Sequence, residues 1–255
     1  MPALSVALIT FNEAARLPAA IDSVSWADEI IVVDSGSTDG TADIARKLAS
    51  RVEVRDWPGY AAQKNYAASL ASHDWLLSLD ADERVTPELA ASLQVWRRTE
   101  PPHAAYRIAR VSWYLDRWLR STDWYPDWQV RLYDRRVATW QTRRVHESVQ
   151  ARGSVSELTG ELQHFPYASV SDHLHRIDRY TSLAALDLRE RGHRASGAGL
   201  LLHPPAAFFR NYVLRGGFRD GRTGLAVSLL NSMYVLLKHV KLLELQIGWR
   251  HDPAG

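Results

Sequence analysis

The chain has 255 residues, 46% of them hydrophobic and 24% charged, which suits one large domain or a domain with an appendage and excludes a disordered polymer. It contains no cysteine, so disulfides, a thiol nucleophile and thiolate-bound zinc or iron–sulfur centres are excluded, and any metal must sit on oxygen or imidazole. The net charge of +2 hides a gradient: residues 1–100 carry 9 Lys and Arg against 15 Asp and Glu, residues 101–190 carry 13 against 11, and residues 191–255 carry 9 against 3. An acidic front suits a metal-assisted site, and a basic, Leu-rich, aromatic tail suits an anionic surface such as phospholipid headgroups. No motif of a nucleic-acid reader is present, so no nucleic acid partner is expected. Met1 is not followed by a basic segment and a long apolar stretch, so no signal peptide is expected. The apolar run from Leu225 to Leu237 is interrupted by Ser228, Asn231 and Ser232 and falls short of the ~20 residues of a bilayer span, so no integral span is expected.

In chain order, the first hundred residues alternate short β-rich runs with helical patterns, the signature of a parallel sheet with crossover helices. Residues 4–10 read as a buried strand, 13–24 as a helix with Pro18 near its first turn, and 29–34 as a second strand. The turn at 35–40 and a helix at 41–49 follow, then a strand at 51–55, a helix at 60–71 and a strand at 74–80. A helix over 87–97 is predicted with Thr86 as N-cap and Pro87 at its first position. After Pro101 and Pro102 the pattern changes: 105–113, 128–133 and 145–150 read as strands around a Trp-, Asp- and Arg-rich loop, which predicts a mixed sheet. Residues 169–191 read as a polar helix and 192–199 as a linker. The rest reads as two amphipathic helices, with Pro204-Pro205 at a helix start and Gly216-Gly217 as a break.

Ligands of open α/β sheets bind beyond the carboxyl ends of the strands. Here those ends read Thr10-Phe-Asn-Glu13, Asp34-Ser-Gly-Ser-Thr-Asp-Gly40 and Asp80-Ala-Asp-Glu83. Acids gathered at neighbouring strand ends are costly unless a cation or donors such as ribose hydroxyls compensate them. Asp80 and Asp82 form an Asp-x-Asp pair, and a hard divalent ion takes one or two protein carboxylates and completes its shell with water and substrate phosphates. Alone, the same pair reads equally as a solvated turn capping the next helix.

Four segments in order carry a resemblance: residues 8–13, residues 30–41 (Ile-Ile-Val-Val-Asp-Ser-Gly-Ser-Thr-Asp-Gly-Thr), residues 59–65 (Gly-Tyr-Ala-Ala-Gln-Lys-Asn) and residues 75–83 (Trp-Leu-Leu-Ser-Leu-Asp-Ala-Asp-Glu). Together they resemble the family 2 inverting glycosyltransferases, and are similar above all to the bacterial lipopolysaccharide-core β-1,4-glucosyltransferase group. The likeness continues through 126–132, 145–147, 164–167 and 216–221. It implies an α/β fold of the GT-A (Rossmann-like) kind, a mixed sheet flanked by helices with a C-terminal amphipathic helical extension. Residues 1–168 would form the glycosyltransferase domain, 1–100 holding nucleotide-sugar and 101–168 facing the acceptor, with 169–255 as the extension.

The resemblance also assigns roles. Thr10, Asn12, Glu13 and Asp34 would hold base and ribose. Asp39 would position the phosphate side of the cleft, unless it only makes an Asx turn. Lys64 would lie near the diphosphate, unless it is a solvated helix residue, and Asp80 would approach the ribose. Asp82 would coordinate Mg²⁺ or Mn²⁺, with His146 and His164 as further candidates, although a lone histidine near a strand is more often a structural hydrogen-bonder. The base that takes the acceptor's proton would be Asp127, with Glu147 as its rival. The chain has Gln129-Val-Arg-Leu132 in place of the Gln-x-x-Arg-Trp of polymerising relatives, which implies addition of a single sugar. His173 and His175, two apart in a helix, read as surface residues. Trp113, Trp118, Trp124 and Trp128 read either as stacking faces around an acceptor cleft or as core.

The implied activity is metal-dependent inverting transfer of glucose or a similar hexose from a nucleotide-diphospho-sugar, with UDP-glucose favoured, to a lipid-linked glycan such as lipopolysaccharide core. Leu225, Leu229, Ser232, Leu236, Val240, Leu243 and Ile247 step by three or four beside Arg222, Lys238 and Lys241. That stripe, with Phe208, Phe209 and Tyr212, suits an anionic membrane surface, a packed helix or a dimer interface. The expected location is cytoplasmic, peripheral at the inner face of the cytoplasmic membrane. Two alternatives fit less well. A sugar-phosphate nucleotidyltransferase would want a Gly-rich loop after the first strand, and 8–17 has no glycine; a non-catalytic nucleotide-sugar-binding module would be expected to lose Asp82 or both candidate bases.

Overall fold

Parallel strands at the centre of the fold are built from near-continuous apolar runs, because helices cover both of their faces. The computed structural model describes residues 2–141 and 147–248. They fall into two compact units, Met1–Ser112 with Asp127–Phe165, and Trp113–Pro126 with Pro166–Gly255.

The first unit opens with β1 (Leu4–Thr10), α1 (Leu17–Asp22), β2 (Glu29–Asp34), α2 (Thr41–Leu48), β3 (Arg51–Val54), α3 (Tyr60–Ser69) and β4 (Trp75–Asp80). The four strands pair in parallel in the order β3-β2-β1-β4. Side chains alternate between faces along each strand. Leu4, Val6 and Leu8 pack with Leu17, Ile21 and Leu93 on one face, while Ala7, Ile31 and Val33 pack with Ala61, Tyr133 and Trp140 on the other. The helix expected from Glu13 begins only at Leu17. Glu13 carbonyl oxygen accepts from the Arg16 and Leu17 amides in a preceding turn, and Pro18, which lacks an N–H, falls in the helix's first turn, where none is needed.

Then follow β5 (Glu83–Val85), α4 (Pro87–Trp96), β6 (Ala105–Tyr114), β7 (Arg117–Leu119), β8 (Asp127–Asp134), β9 (Ala138–Gln141), β10 (Ser148–Ala151) and β11 (Val155–His164). Beyond β4 the sheet continues β8-β6-β11-β5, so it is mixed, as expected. β8 is antiparallel to β4 and β6, and β11 is parallel to β6 and antiparallel to β5. Thr86 caps α4, its Oγ1 accepting from Leu89 N at 3.2 Å. The strand expected over 145–150 is Ser148–Ala151; Val145 and His146 lie outside the described residues. β5, β7, β9 and β11 have no counterpart among the expected strands. β11 is broken by a shift of register between Glu157 and Glu161, and Gly160 there, at φ +96°, faces α4 so closely that a Cβ would lie 2.4 Å from Leu89 N.

The second unit holds β7, α5 (Val170–Glu190), α6 (Gly197–Phe209), a π-helical segment at Arg210–Leu214 and α7 (Gly221–Ile247), with α7 packed on α5 and α6. Three expectations change here. Ser196 caps α6 by accepting from Gly199 N at 3.0 Å, so the helix starts inside the expected linker and Pro204-Pro205 lies within it, not at its start. α7 runs unbroken for 27 residues, and Gly217–Ile247 is long and apolar enough to cross a membrane by length and composition. The polar residues that interrupt its apolar run are bonded within the unit: Ser228 Oγ donates to Gly224 O, Asn231 Nδ2 to Asn211 Oδ1 and Ser232 Oγ to Pro204 O. The break falls at Gly216 (φ +71°), and Gly224 passes so near Gly217 that a Cβ on Gly224 would lie 1.8 Å from the Gly217 oxygen.

His173 is not a surface residue. It is 4% exposed, its Nδ1 is 2.8 Å from Tyr114 Oη, its ring stacks on Tyr167, and burial pushes its pKa down to about 4. In the second unit Trp113 meets Trp118 edge-on and Trp124 packs with Tyr114, Tyr167 and His173; in the first, Trp128 lies under the Arg107 guanidinium.

Candidate active site

The register of the central strands sets Thr10 beside Asp34 and Ile9 beside Asp80, so the three strand ends form one edge. Asp34 is fully buried and takes four hydrogen bonds, from Thr10 Oγ1 and Ser37 Oγ on Oδ2 and from the Gly36 and Ser37 amides on Oδ1. Both of its oxygens therefore fold the turn after β2. The loop after β1 is laced to that turn: Asn12 N donates to Ser37 Oγ, Thr38 N to Asn12 Oδ1, Glu13 N to Thr41 Oγ1 and Ala14 N to Asp39 Oδ2. Asn12 adopts φ +55°, which asparagine tolerates better than most residues. Asp39 Oδ1 accepts from Thr41 N, the Asx turn anticipated as its plainer role. Gln63, not singled out beforehand, is buried with Nε2 on Ser35 Oγ at 3.2 Å and Oε1 without a hydrogen-bond partner among the described residues.

The acids after β4 are compensated by the protein itself. Asp80 receives Lys64 Nζ at 2.7 Å and Arg131 Nη2 at 2.6 Å. The same Nη2 reaches Glu83 Oε1 at 2.5 Å, and Arg110 Nη1 meets that oxygen at 2.9 Å. Glu83 is 0% exposed and accepts the Asp80 amide on its other oxygen. Arg110 goes on to Asp127 through Nη2 at 2.6 Å, while Gln129 Nε2 holds the other Asp127 oxygen at 2.6 Å. Lys64 Nζ also lies 4.3 Å from the centre of the Trp140 ring. Arg110 and Arg131 were not foreseen as site residues, although a charged side chain inside an apolar strand such as Trp128-Gln-Val-Arg-Leu132 is a signal that something buried needs it.

Burial alone would raise the pKa of each carboxyl here, and local partners reverse it. Arg131 and then Lys64 hold Asp80 far below the usual carboxylate range; the His164 hydrogen bond and charge lower Asp82; Arg110 and Gln129 lower Asp127. All three are ionised at neutral pH.

Pairing of β5 with β11 sets His164 opposite Glu83, and Phe165 N donates to Asp82 O at 2.9 Å. These bonds bring His164 Nε2 to 3.5 Å from Asp82 Oδ2, while His164 Nδ1 lies 3.1 Å from Ser112 Oγ. Were a metal bound, the proton would sit on Nδ1, given to Ser112, and Nε2 would offer its lone pair to the ion in place of its bond to Asp82. Two donors at this spacing fit one divalent ion, whose adjacent ligands sit ~3 Å apart on ~2.1 Å bonds. Among the described residues no group of three or more acidic or histidine side chains could hold a metal, and two suffice where a diphosphate supplies the rest. Glu147 is half-buried just before β10, and His146 lies outside the described residues.

Known proteins give the family and the fold. The profile described as Glycosyl transferase family 2 matches residues 5–157. An uncharacterised glycosyltransferase of Rickettsia typhi is 31% identical over 100% of this chain and 91% of its own length. The lipopolysaccharide core biosynthesis glycosyltransferase LpsC of Rhizobium meliloti is 29% identical over 94% of this chain and 92% of its own. Among solved structures, the mannosyltransferase PcManGT of Pyrobaculum calidifontis, in complex with GDP-Man and Mn²⁺, is similar in fold with a TM-score of 0.56 at 16% identity, covering 95% of this chain and 87% of that one. The fold is thus of the GT-A kind, a mixed sheet flanked by helices with a C-terminal helical extension. The chain belongs to glycosyl transferase family 2 and is a glycosyltransferase.

Proposed function

We propose that this glycosyltransferase moves a hexose, with inversion and with help from a divalent metal, from UDP-glucose to the core glycan of a lipid-borne lipopolysaccharide precursor, at the inner face of the cytoplasmic membrane, to which it is peripherally bound. The observation that carries the reading is the network that joins Asp80, Glu83 and Asp127 through Lys64, Arg131 and Arg110, together with the separate Asp82–His164 pair. The LpsC likeness supports the acceptor class.

In this reading Asp34 shapes the turn that Asn12 and Asp39 complete, and Thr10, Asn12 and Glu13 line the seat of base and ribose. Asp80 faces the ribose, and Lys64 meets the diphosphate. Asp82 and His164 would hold Mg²⁺ or Mn²⁺, which neutralises charge on the departing diphosphate. Asp127, ionised and oriented by Arg110 and Gln129, accepts the acceptor hydroxyl's proton as its oxygen attacks the anomeric carbon. The bond from that carbon to the diphosphate breaks on the opposite side, so one displacement inverts configuration.

The test is a panel of nucleotide sugars assayed with Mn²⁺, with Mg²⁺ and with chelator, followed by mass spectrometry and by NMR of the new linkage. UDP-glucose should be the donor used, only with metal, and Asp82→Asn should abolish turnover in a folded protein. Retention of more than about a tenth of the activity by that variant, ~1.4 kcal/mol of barrier, would remove Asp82 from the metal site.

A further inference from the structure

A surface helix ordinarily turns its polar face to water. α6 and its continuation do the reverse. Exposed positions recur in groups, at Leu201 to His203, Pro205 and Ala206, Phe209 and Arg210, and Val213 to Arg215, while Pro204, Ala207 and Asn211 are buried. Of these ten outward positions seven are apolar and three, His203, Arg210 and Arg215, are basic, and Leu201, Leu202 and Leu214 are 73%, 62% and 69% exposed. The inward face holds the asparagine: Asn211 Nδ2 donates to Ala207 O and Asp123 Oδ2, and its Oδ1 accepts from Asp123 N and Asn231 Nδ2. The helix is thus seated by a satisfied polar contact and presents its apolar side outward, continuing to the exposed Phe218. An exposed patch of this kind marks an interaction surface.

Charge along the same stretch is one-sided. Between residues 191 and 222 stand six arginines, at 191, 194, 210, 215, 219 and 222, against one acid, Asp220, which accepts from Ser121 Oγ. Arg210 and Arg215 meet Asp123, while Arg219 and Arg222 are exposed where this stretch runs into the first turn of α7; farther along the α7 stripe Lys241 Nζ is bonded to Asp178 and Ser182, and Lys238 is half-buried.

From this we infer that the outward face of residues 201–218 is the surface that seats on an anionic phospholipid bilayer. The helix lies in the plane of the interface, with Leu202, Phe209 and Leu214 at the acyl boundary and Arg215, Arg219 and Arg222 at the lipid phosphates. The inference rests on the membrane-bound reading above and assigns it to one element.

The test is co-sedimentation of the full chain with phosphatidylglycerol/phosphatidylcholine vesicles and with phosphatidylcholine alone, across a salt series. The wild type should bind the anionic vesicles, and salt should weaken the binding. Leu202→Asp/Phe209→Asp/Leu214→Asp should bind at least tenfold more weakly while keeping wild-type circular dichroism and donor hydrolysis, and Leu229→Asp/Val240→Asp on α7 should bind as wild type. If the α7 variant alone loses binding, membrane association stands and α6 is not its seat. If the wild type binds neither vesicle, both fail. Salt-insensitive binding to neutral vesicles overturns the assignment, as does a dimer that the α6 variant dissociates without any vesicle effect, which would make a second copy the occupant.

Discussion

Acidification should unfold the second unit through His173. The imidazole is buried and its pKa lies at about 4, against ~6.5 in an unfolded chain. Burial is the main cause; the neighbouring Asp172 opposes the shift and Arg176 adds to it. The unfolded state therefore binds the proton more readily, so this contribution is fully present above pH ~6.5 and is lost as pH falls toward 4. Linkage gives a loss of about 2 kcal/mol between pH 7.5 and 5, reaching about 3 kcal/mol at pH 4. His173→Asn removes the titrating ring and keeps a polar atom near Nδ1 for the Tyr114 hydroxyl. Whatever constant amount it costs at pH 7.5, its stability should change less between pH 7.5 and 5, by about the 2 kcal/mol above. Urea titrations followed by tryptophan fluorescence at several pH values measure both curves, with Trp124 packed against the His173 ring. Parallel loss of stability in wild type and variant would refute the reasoning.

Asp127→Asn should lower turnover by about 10²-fold or more with donor affinity unchanged, since in the proposed reaction its carboxylate acts on the acceptor proton; an inactive Glu147→Gln beside an active Asp127→Asn would transfer the role to Glu147. Arg131→Met should destabilise by about 3 kcal/mol, the low end of the range for removing one partner of a buried ion pair, because Lys64 still meets Asp80 and Arg110 still meets Glu83. A shift under ~1 kcal/mol in urea unfolding would show that this pairing is dispensable. Gly224→Ala gains up to ~1 kcal/mol of helix propensity, yet its Cβ would lie 1.8 Å from the Gly217 oxygen, so the steric cost should win and lower Tm; an unchanged or higher Tm would contradict the close approach.

What could be read in advance followed from local signals. β1 and β2 are apolar runs ended by turn residues, Thr86-Pro87 is a cap with its mechanism in the residues themselves, and Asp80 and Asp82 stand where a strand stops. What could not be read depends on partners distant in the chain. β11 mixes Glu, Gln and Thr with one glycine bulge, and only its place between β6 and β5 makes it a strand. Arg131 signals that something buried needs its charge, but not that Asp80 and Glu83 converge on it. His173 looked exposed because helical spacing separates it from His175, but spacing along one helix does not reveal Tyr114 and Tyr167, which enclose its ring. Pro204 suggested a helix start, the commonest use of proline, whereas here the Ser196 cap had already begun α6.

The strand order β4-β8-β6-β11-β5 has a consequence for synthesis. A chain emerging from the ribosome completes β1 to β4 with Lys64 as the cation already available to Asp80, Asp82 and Glu83. Arg110 and Arg131 arrive later on β6 and β8, and His164 only at the last residue of β11, the strand that also gives β5 its partner. In the folded chain both arginines reach the acidic turn from the β6–β8 pair, whose β8 docks on β4. The acids at the ends of β4 and β5 are thus made well before the arginines and the histidine that meet them in the folded chain.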